Sequence, residues 1–273
     1  MIKVKNLNYY YDTQESPVLR NISFEFNKGE HIVIIGPNGC GKTTFIRHFN
    51  GLLAPTSGDV WVGENNTKDT RALRDIRQKV GMVFQNPDNQ IVGMSVEEDV
   101  AFGPGNLGLP PEEIRKRVKD SLSLVGMTDY MKKAPHTLSN GEKQLIAIAG
   151  VLAMKPECIV LDEPTSYLDP SGRKKVANFI KGLNKDGITV IHVTHNMDEV
   201  VGADMIIVMD KGQILKHGKP AEIFAHPRWL KELGLEIPII TELIWRLREM
   251  GADISSDIMT IDTACAELAS LLK

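Results

Sequence analysis

The chain has 273 residues, 42% of them apolar and 25% charged, a balance that excludes collagen-like and intrinsically disordered classes. With 32 basic against 35 acidic residues the formal net charge is −3, which argues against a surface that grips nucleic acid through phosphate charge alone. Three cysteines, Cys40, Cys158 and Cys265, are odd in number and far apart, so no disulfide framework is expected and a reducing compartment fits.

The first residues, Met1 to Asn6, hold no apolar run of signal-peptide length. Lys3 to Tyr9 and Ile22 to Phe26 alternate apolar and polar positions and read as half-buried antiparallel strands, with a turn at Asn27 to Glu30. His31 to Ile35 is a continuous apolar run, typical of a strand covered on both faces. A glycine-rich loop follows, then a helix expected from Lys42 to about Gly51. Val80 to Phe84, Cys158 to Leu161, Thr189 to Val193 and Met205 to Met209 are further buried runs. Helical segments at Arg173 to Lys185 and Met197 to Val201 separate the later runs, which predicts right-handed βαβ units and a parallel sheet. Between Asn86 and Lys155 no strand-like run occurs, and Pro111 to Val125 and Gly141 to Met154 have helical spacing. This segment reads as a helical subdomain inserted into an α/β core. The longest uninterrupted apolar stretch, Leu145 to Met154, is about half of what a bilayer requires, so any membrane role is expected through a partner. Near the end, Ile239, Ile240, Leu243, Ile244, Leu247 and Met250 line one helical face, and Ile261, Ala264, Leu268, Leu271 and Leu272 line another. Two short helices cannot bury such stripes alone, so docking on the core or on another chain is expected.

Gly36, Pro37, Asn38, Gly39, Cys40, Gly41, Lys42 and Thr43 fit the pattern G-x-x-x-x-G-K-[ST] between a buried strand and a helix. Glycines let successive backbone N–H groups turn inward around a polyphosphate, and the helix N-terminus adds its dipole. Lys42 reaches the β and γ phosphates, and the Thr43 hydroxyl is a Mg²⁺ ligand. Asp162 and Glu163 end a second buried strand, and strand alternation sends the two carboxylates to different neighbours. Asp162 is expected in the Mg²⁺ shell, and Glu163 accepts a proton from the attacking water. Together these motifs describe a nucleotide hydrolase.

Ser139 and Glu142 form an S-x-x-E capping box ahead of the second helix of the inserted segment. The box leaves Gly141 unexplained, because a glycine in a helical first turn costs up to about 1 kcal/mol against alanine. A helix N-terminus with serine and glycine suits an anion, yet the chain's own phosphates are already wrapped by residues 36 to 44. Two copies packed head to tail resolve this: Ser139, Asn140, Gly141 and Glu142 of one face the γ-phosphate held by the other. ATP then joins the subunits and hydrolysis releases them.

The ordered series of Walker A at 36–43, Leu138-Ser-Asn-Gly-Glu142, Cys158-Ile-Val-Leu-Asp-Glu-Pro164, Ser166-Tyr-Leu-Asp169 and His195 resembles the nucleotide-binding subunits of ABC transporters over residues 1 to about 220. The resemblance implies a RecA-like P-loop NTPase core, an ATPase domain at 1–220 carrying an N-terminal antiparallel β-subdomain and a helical subdomain at about 86–155, and a C-terminal helical extension at 221–273 for dimerisation or docking. It also implies Thr44 binding ATP with the rest of the glycine loop, Tyr11 stacking on adenine, Gln85 sensing Mg²⁺ and the membrane partner, His195 on the γ-phosphate, and Asp169 touching the opposite subunit. Among three adjacent tyrosines, Tyr9 and Tyr10 remain alternatives as the stacking ring. His192 is the candidate for an ordinary buried histidine.

A finer resemblance, to the ATPases of energy-coupling-factor (ECF) importers for vitamins or cobalt and nickel, rests on Val83 to Gly93, Val96 to Gly103, Asn106 to Leu109, Ala147 to Met154 and Leu233 to Pro238. It implies a second ABC ATPase subunit, identical or different, an integral membrane scaffold whose coupling helices meet residues 86–105, and a membrane substrate-binding protein. The chain is then peripheral, on the cytoplasmic face. Four positions depart from the family pattern: Asn140 for glycine, Glu142 for glutamine, Leu145 for arginine and Cys40 for serine. None touches Lys42, Asp162 or Glu163. A soluble ABC ATPase of DNA repair or translation would need long heptad insertions or two ATPase halves, and neither is present.

Overall fold

The computed structural model describes residues 1–12, 16–255 and 257–271. In chain order, β1 (Ile2–Tyr9), β2 (Leu19–Phe26) and β3 (His31–Ile35) precede a short helix α1 (Lys42–Ile46), β4 (Ser57–Val62), β5 (Asn65–Asn66), α2 (Leu73–Lys79) and β6 (Val80–Val83). Three helices follow, α3 (Val96–Asn106), α4 (Pro111–Leu124) and α5 (Asn140–Leu152). Then come β7 (Cys158–Asp162), α6 (Pro170–Lys185), β8 (Thr189–Val193), α7 (Met197–Val200), β9 (Met205–Asp210) and β10 (Gln213–Gly218). The chain closes with α8 (Pro220–Phe224), α9 (Pro227–Glu232), α10 (Ile239–Glu249) and α11 (Ile261–Leu271).

Two sheets result. An antiparallel one runs β2-β1-β4-β5, and a six-stranded one runs β10-β9-β3-β8-β7-β6. Strands β9 to β6 of the second are parallel, as their buried apolar runs dictate, but β10 pairs antiparallel with β9. That edge strand is an addition to the all-parallel expectation. It forms because Lys211 and Gly212 both take positive φ, 46° and 78°, which closes a tight hairpin. Between the sheets lies one apolar layer in which Phe26, Phe45 and Phe49 meet edge-on or tilted, at 4.8–6.2 Å between ring centres. Burying each such ring contributes about 2 kcal/mol.

The helix expected from Lys42 to Gly51 is shorter than its pattern. After Ile46 the bonds tighten to three-residue closures, His48 N to Phe45 O and Phe49 N to Ile46 O, so the chain turns early toward β4. The inserted helical segment packs on the other face of the six-stranded sheet through Leu122, Ile146 and Ile148. Helix α3 is an element the spacing hides, because Gly103, Pro104 and Gly105 sit near its end. Its start is nonetheless marked by a capping box, Ser95 with Glu98.

At the C-terminal end, Ile223, Phe224, Leu230, Leu235 and Ile237 join the core with Val33 and Ile206, while Ile244, Ile254, Ile258 and Ala264 close a small core of their own. The expected stripes thus split. Ile240, Ile244, Leu247, Ala264 and Leu268 pack inside, and Ile239, Leu243, Met250 and Ile261 stay exposed. Leu272 and the side chain of Leu271 lie outside the described residues.

Two buried histidines make stability pH-dependent. Burial, with His192 as a stacked neighbour of His31, holds His31 at about 4; burial also holds His48 at about 4, with its Nδ1 donating to Thr44 O at 2.8 Å. An unfolded histidine titrates near 6.5. Between these values the unfolded chain binds protons that the native one does not, so stability is full above about pH 6.5 and falls as pH drops toward 4. Urea unfolding at pH 5 is expected to show a loss of about 2 kcal/mol per histidine relative to pH 7.5. His48→Leu should remove about half of that slope, and an unchanged slope would contradict the assignment.

Candidate nucleotide site

Tyr11 follows β1 of the antiparallel sheet and Ser139 to Glu142 open α5, whereas the glycine loop, His195, the Asp162-Glu163 pair and Gln85 leave the carboxyl ends of four adjacent strands, β3, β8, β7 and β6. That edge of an open α/β sheet is where ligands settle. Val193 pairs in register with both Ile34 and Asp162, so the loops carrying Gly36, His195 and Glu163 start at one level.

The glycine loop bends where a side chain would fail. Gly41 caps α1 at φ 107°, and a Cβ there would lie 2.9 Å from Leu19 Cδ2. Lys42, only 6% exposed, donates to Gly36 O at 2.7 Å and to Pro37 O at 3.0 Å. An ammonium has three donors, so one remains for a phosphate oxygen. Asn38, Gly39, Gly41, Lys42, Thr43 and Thr44 line a cavity of about 520 Å³. Cys40, expected among the ATP-binding residues, does not line the cavity: its side chain is buried in the core, and burial raises its thiol pKa. Tyr11 lines the same cavity and shares a hydrogen bond with Thr44 Oγ1 at 3.1 Å. Tyr9 instead packs edge-on between Tyr11 and His48, and Tyr10 lies outside the cavity lining. Arg20 and Lys211 also line it. Sequence reasoning passed over both; the Asp210-Lys-Gly212 hairpin turn was the available signal for Lys211.

The two carboxylates do have different neighbours. Asp162 is buried and accepts from Thr43 Oγ1 at 3.0 Å. Desolvation, reinforced by the nearby Glu163 charge and opposed by the Thr43 bond, raises its pKa. A carboxylate short of positive charge beside a hydroxyl is a hard-oxygen pair suited to Mg²⁺, which takes one or two protein oxygens and completes its shell with phosphate and water. Glu163 sits at φ 46°, a left-handed conformation costing about 1–3 kcal/mol that persists only where its surroundings over-determine it. Its Oε2 accepts from Gln85 Nε2 at 3.0 Å and from Ser166 Oγ at 2.8 Å, and lies 3.2 Å from His195 Nδ1. Gly36, Pro37, Asn38, Gln85, Glu163 and His195 share a second cavity of about 430 Å³, contiguous with the first through Asn38 and Glu163. Gly234, Leu235 and Glu236 complete its wall, a contribution from the C-terminal segment that no motif signals.

The Ser139 box closes as expected: Glu142 N donates to Ser139 Oγ at 3.3 Å, and Ser139 N donates to Glu142 Oε2 at 2.8 Å. Gly141 has a reason inside the chain. A Cβ there would lie 3.1 Å from Gly172 Cα, so the first turns of α5 and α6 cross with glycine against glycine. This contact replaces the inference that Gly141 by itself demands a second subunit. Asp169 caps α6 by accepting from Gly172 N at 3.2 Å, and with Ser139, Gly141 and Glu142 it lines an open cavity of about 420 Å³. Asn140 Nδ2 donates to Tyr167 O at 3.5 Å, so its side chain is engaged on the turn that carries Asp169. Leu145 is buried in the apolar cluster of the helical subdomain and borders the same cavity as Ser139 and Glu142.

The comparisons agree with this geometry. The sequence profile of the ABC transporter family matches residues 19–166. The ATP-binding protein EcfA1 of the energy-coupling-factor transporter of Caldanaerobacter subterraneus subsp. tengcongensis is 57% identical over 266 residues, 96% of each chain. The cobalt import ATP-binding protein CbiO of Syntrophus aciditrophicus is 50% identical over 270 residues, 99% of this chain and 96% of that one. CbiO1 of Clostridium perfringens, part of the ABC transporter complex CbiONQ, superposes with a TM-score of 0.76 at 38% identity, covering 89% of this chain and 98% of that one. The dimeric cassette MJ0796 bound to ADP and phosphate gives a TM-score of 0.73 at 32% identity, covering 80% and 98%. With a phosphate cradle, paired carboxylates and relatives alike along nearly the whole length, the chain belongs to the ABC transporter family as an ATP-binding ATPase subunit.

Proposed function

We propose that the chain is the ATP-hydrolysing motor of an ECF-type importer, taking up a vitamin or a transition-metal ion, and that it works as a peripheral subunit on the cytoplasmic face of the cell membrane. The observation that carries this reading is that similarity to proteins named for energy-coupling-factor transport and cobalt import runs through the C-terminal extension as well as the ATPase domain. Among the described residues no helix is long and apolar enough to cross a membrane, so membrane attachment falls to partners: an integral scaffold and a membrane substrate-binding subunit. The ATPase domain is residues 1–220 with 86–155 inserted; 221–273 serve dimerisation or docking.

In this reading ATP lies along the two contiguous cavities, with Tyr11 at the adenine and residues 36–44 around the phosphates. Thr43, Asp162 and Gln85 would hold Mg²⁺, which would supply positive charge against the triphosphate. Glu163 takes the proton of the attacking water and His195 contacts the γ-phosphate. A second ATPase subunit, identical or different, presents its Ser139–Glu142 turn and Asp169 to this nucleotide. The MJ0796 dimer supports such pairing.

A groove of about 650 Å³ between the α/β core and the helical subdomain supports the membrane partner. Leu73, Met82, Phe84, Leu107 and Met154 line it, and Phe102, 58% exposed, stands at its wall; Met94, 84% exposed, does not line the groove but lies on the segment just before α3, within residues 86–105. Affinity purification of the full chain from detergent-solubilised membranes is expected to recover an integral membrane protein. Phe102→Ser with Met94→Ser should cut that recovery at least about tenfold while ATP affinity stays within about twofold, since neither residue lines the nucleotide cavities. Recovery of no membrane protein by the native chain would refute the importer assignment.

A further inference from the structure

One buried carboxylate ties the two reacting loops together. Glu199 of α7 is only 4% exposed, yet four polar groups converge on it. Its Oε1 accepts from Thr165 Oγ1 at 2.7 Å and from Asn196 Nδ2 at 3.1 Å. Its Oε2 accepts from Thr194 Oγ1 at 2.9 Å and lies 3.2 Å from His192 Nε2. Thr165 stands two residues after Glu163, and Thr194 and Asn196 flank His195 on both sides. Asn196 N donates in turn to Thr194 Oγ1 at 3.0 Å, and Glu163 N donates to Val193 O at 2.9 Å. We infer that Glu199 is a positioning residue for ATP hydrolysis, holding the Glu163 loop and the His195 loop in one fixed relation through its hydrogen bonds to Thr165, Thr194 and Asn196.

The physical case has three parts. Burying a carboxylate is costly unless every oxygen is engaged, and here both are. A core carboxylate kept for stability alone has no reason to choose partners that bracket a general base on one loop and a phosphate contact on another. Glu163 also holds a left-handed backbone that needs outside restraint, and the Thr165 bond supplies one two residues downstream. The charged state is consistent with this arrangement: desolvation acts to raise the Glu199 pKa, but His192, Thr165 and Thr194 overcome it and hold the group at about 2. On its apolar side α7 contributes Met197 and Val200 to the same buried cluster as Leu235 and Ile237 of the C-terminal segment.

The inference rests on Glu163 and His195 being the reacting groups, and the test separates the two claims. Glu199→Gln keeps an acceptor for Thr165 and Asn196 but turns a donor toward Thr194 and His192, loosening the His195 loop. Thr165→Val cuts the tie to the Glu163 loop, and Thr165→Ser restores it. The full-length chain, with any partner ATPase subunit, is assayed for ATP affinity and single-turnover hydrolysis. Glu199→Gln and Thr165→Val should each lower the hydrolysis rate about 10- to 100-fold with ATP affinity within about threefold, since misplacing a reacting group by an ångström has effects of that size. Thr165→Ser should regain at least about half the native rate. In a His195→Ala background, Glu199→Gln should add less than about threefold. A folded Glu199→Gln with native turnover overturns the proposal, as does a loss of ATP affinity that parallels the loss of rate. Should Glu199→Gln not fold, equal rates in Thr165→Val and Thr165→Ser overturn it. Native turnover in His195→Ala removes the reading beneath it, and the proposal with it.

Discussion

Glu163→Gln is expected to lower ATP hydrolysis at least about 100-fold while leaving ATP binding intact, because a positioned general base contributes roughly 10²–10⁴ in rate. The substitution is close to isosteric. A glutamine oxygen still accepts from Gln85 Nε2 and Ser166 Oγ, the two donors that hold Glu163 Oε2. The loop therefore keeps its shape and the left-handed backbone at residue 163 its restraints, and only the capacity to take a proton disappears. None of the contacts of Lys42 involves this carboxylate, so the phosphate cradle is untouched. If ATP is clasped between two ATPase subunits, blocking its cleavage traps the clasped form. Size-exclusion chromatography of Glu163→Gln with ATP, and with any partner ATPase subunit supplied, should show a stable dimer that dissociates when ATP is removed. Persistent monomers there would count against the shared site, and retained turnover would remove Glu163 from the role of base.

How much of this was legible in the amino-acid order depends on whether a feature is local. The cradle reads directly, because phosphate-binding geometry is built from consecutive backbone groups and demands glycine at Gly41 and lysine and threonine directly after it. The Asp162-Glu163 pair reads only in company with the phosphate loop, because alone a strand ending in two acids is more often a solvated end. Gln85 and His195 belong to the site only because β6 and β8 flank β7, and strand order is a tertiary fact that no local pattern carries. The same limit hides Gly172, whose contact with Gly141 is a helix crossing, and Gly234 to Glu236, which reach the cavity beside Gln85, Glu163 and His195 from the far end of the chain. Glu199 escapes for a different reason. In sequence it is one of two acids at the start of a four-residue helix, where acids favour the dipole. Only its burial and four partners reveal that it faces inward. Strand β4 was present as the alternation of Val60 and Val62, but its glycine and aspartate weaken the pattern below that of the buried runs.

Lys42→Ala should weaken ATP binding at least about 100-fold, and Lys42→Arg should restore little of it. A hundredfold change is about 2.7 kcal/mol, within the range expected for losing one or two charge-assisted hydrogen bonds to a polyphosphate. The side chain is almost wholly buried, with two of its three donors on Gly36 O and Pro37 O. Those bonds aim the third donor into the cavity and neutralise the carbonyl dipoles that would otherwise face incoming phosphate. Alanine removes the charge and leaves both carbonyls without that partner, so the loop loses ligand and shape together. Arginine returns the charge, but its planar fork is longer and wider than an ammonium and cannot sit between two carbonyls of the same tight loop. The arginine variant therefore separates two explanations that alanine alone does not. If nearby positive charge were sufficient, with Arg20 and Lys211 already lining the cavity, Lys42→Arg would bind ATP within a few-fold of the native chain. If the ammonium must be seated by the loop, both variants fail. Equilibrium titration with a fluorescent ATP analogue, alongside thermal melts to confirm folding, distinguishes the two.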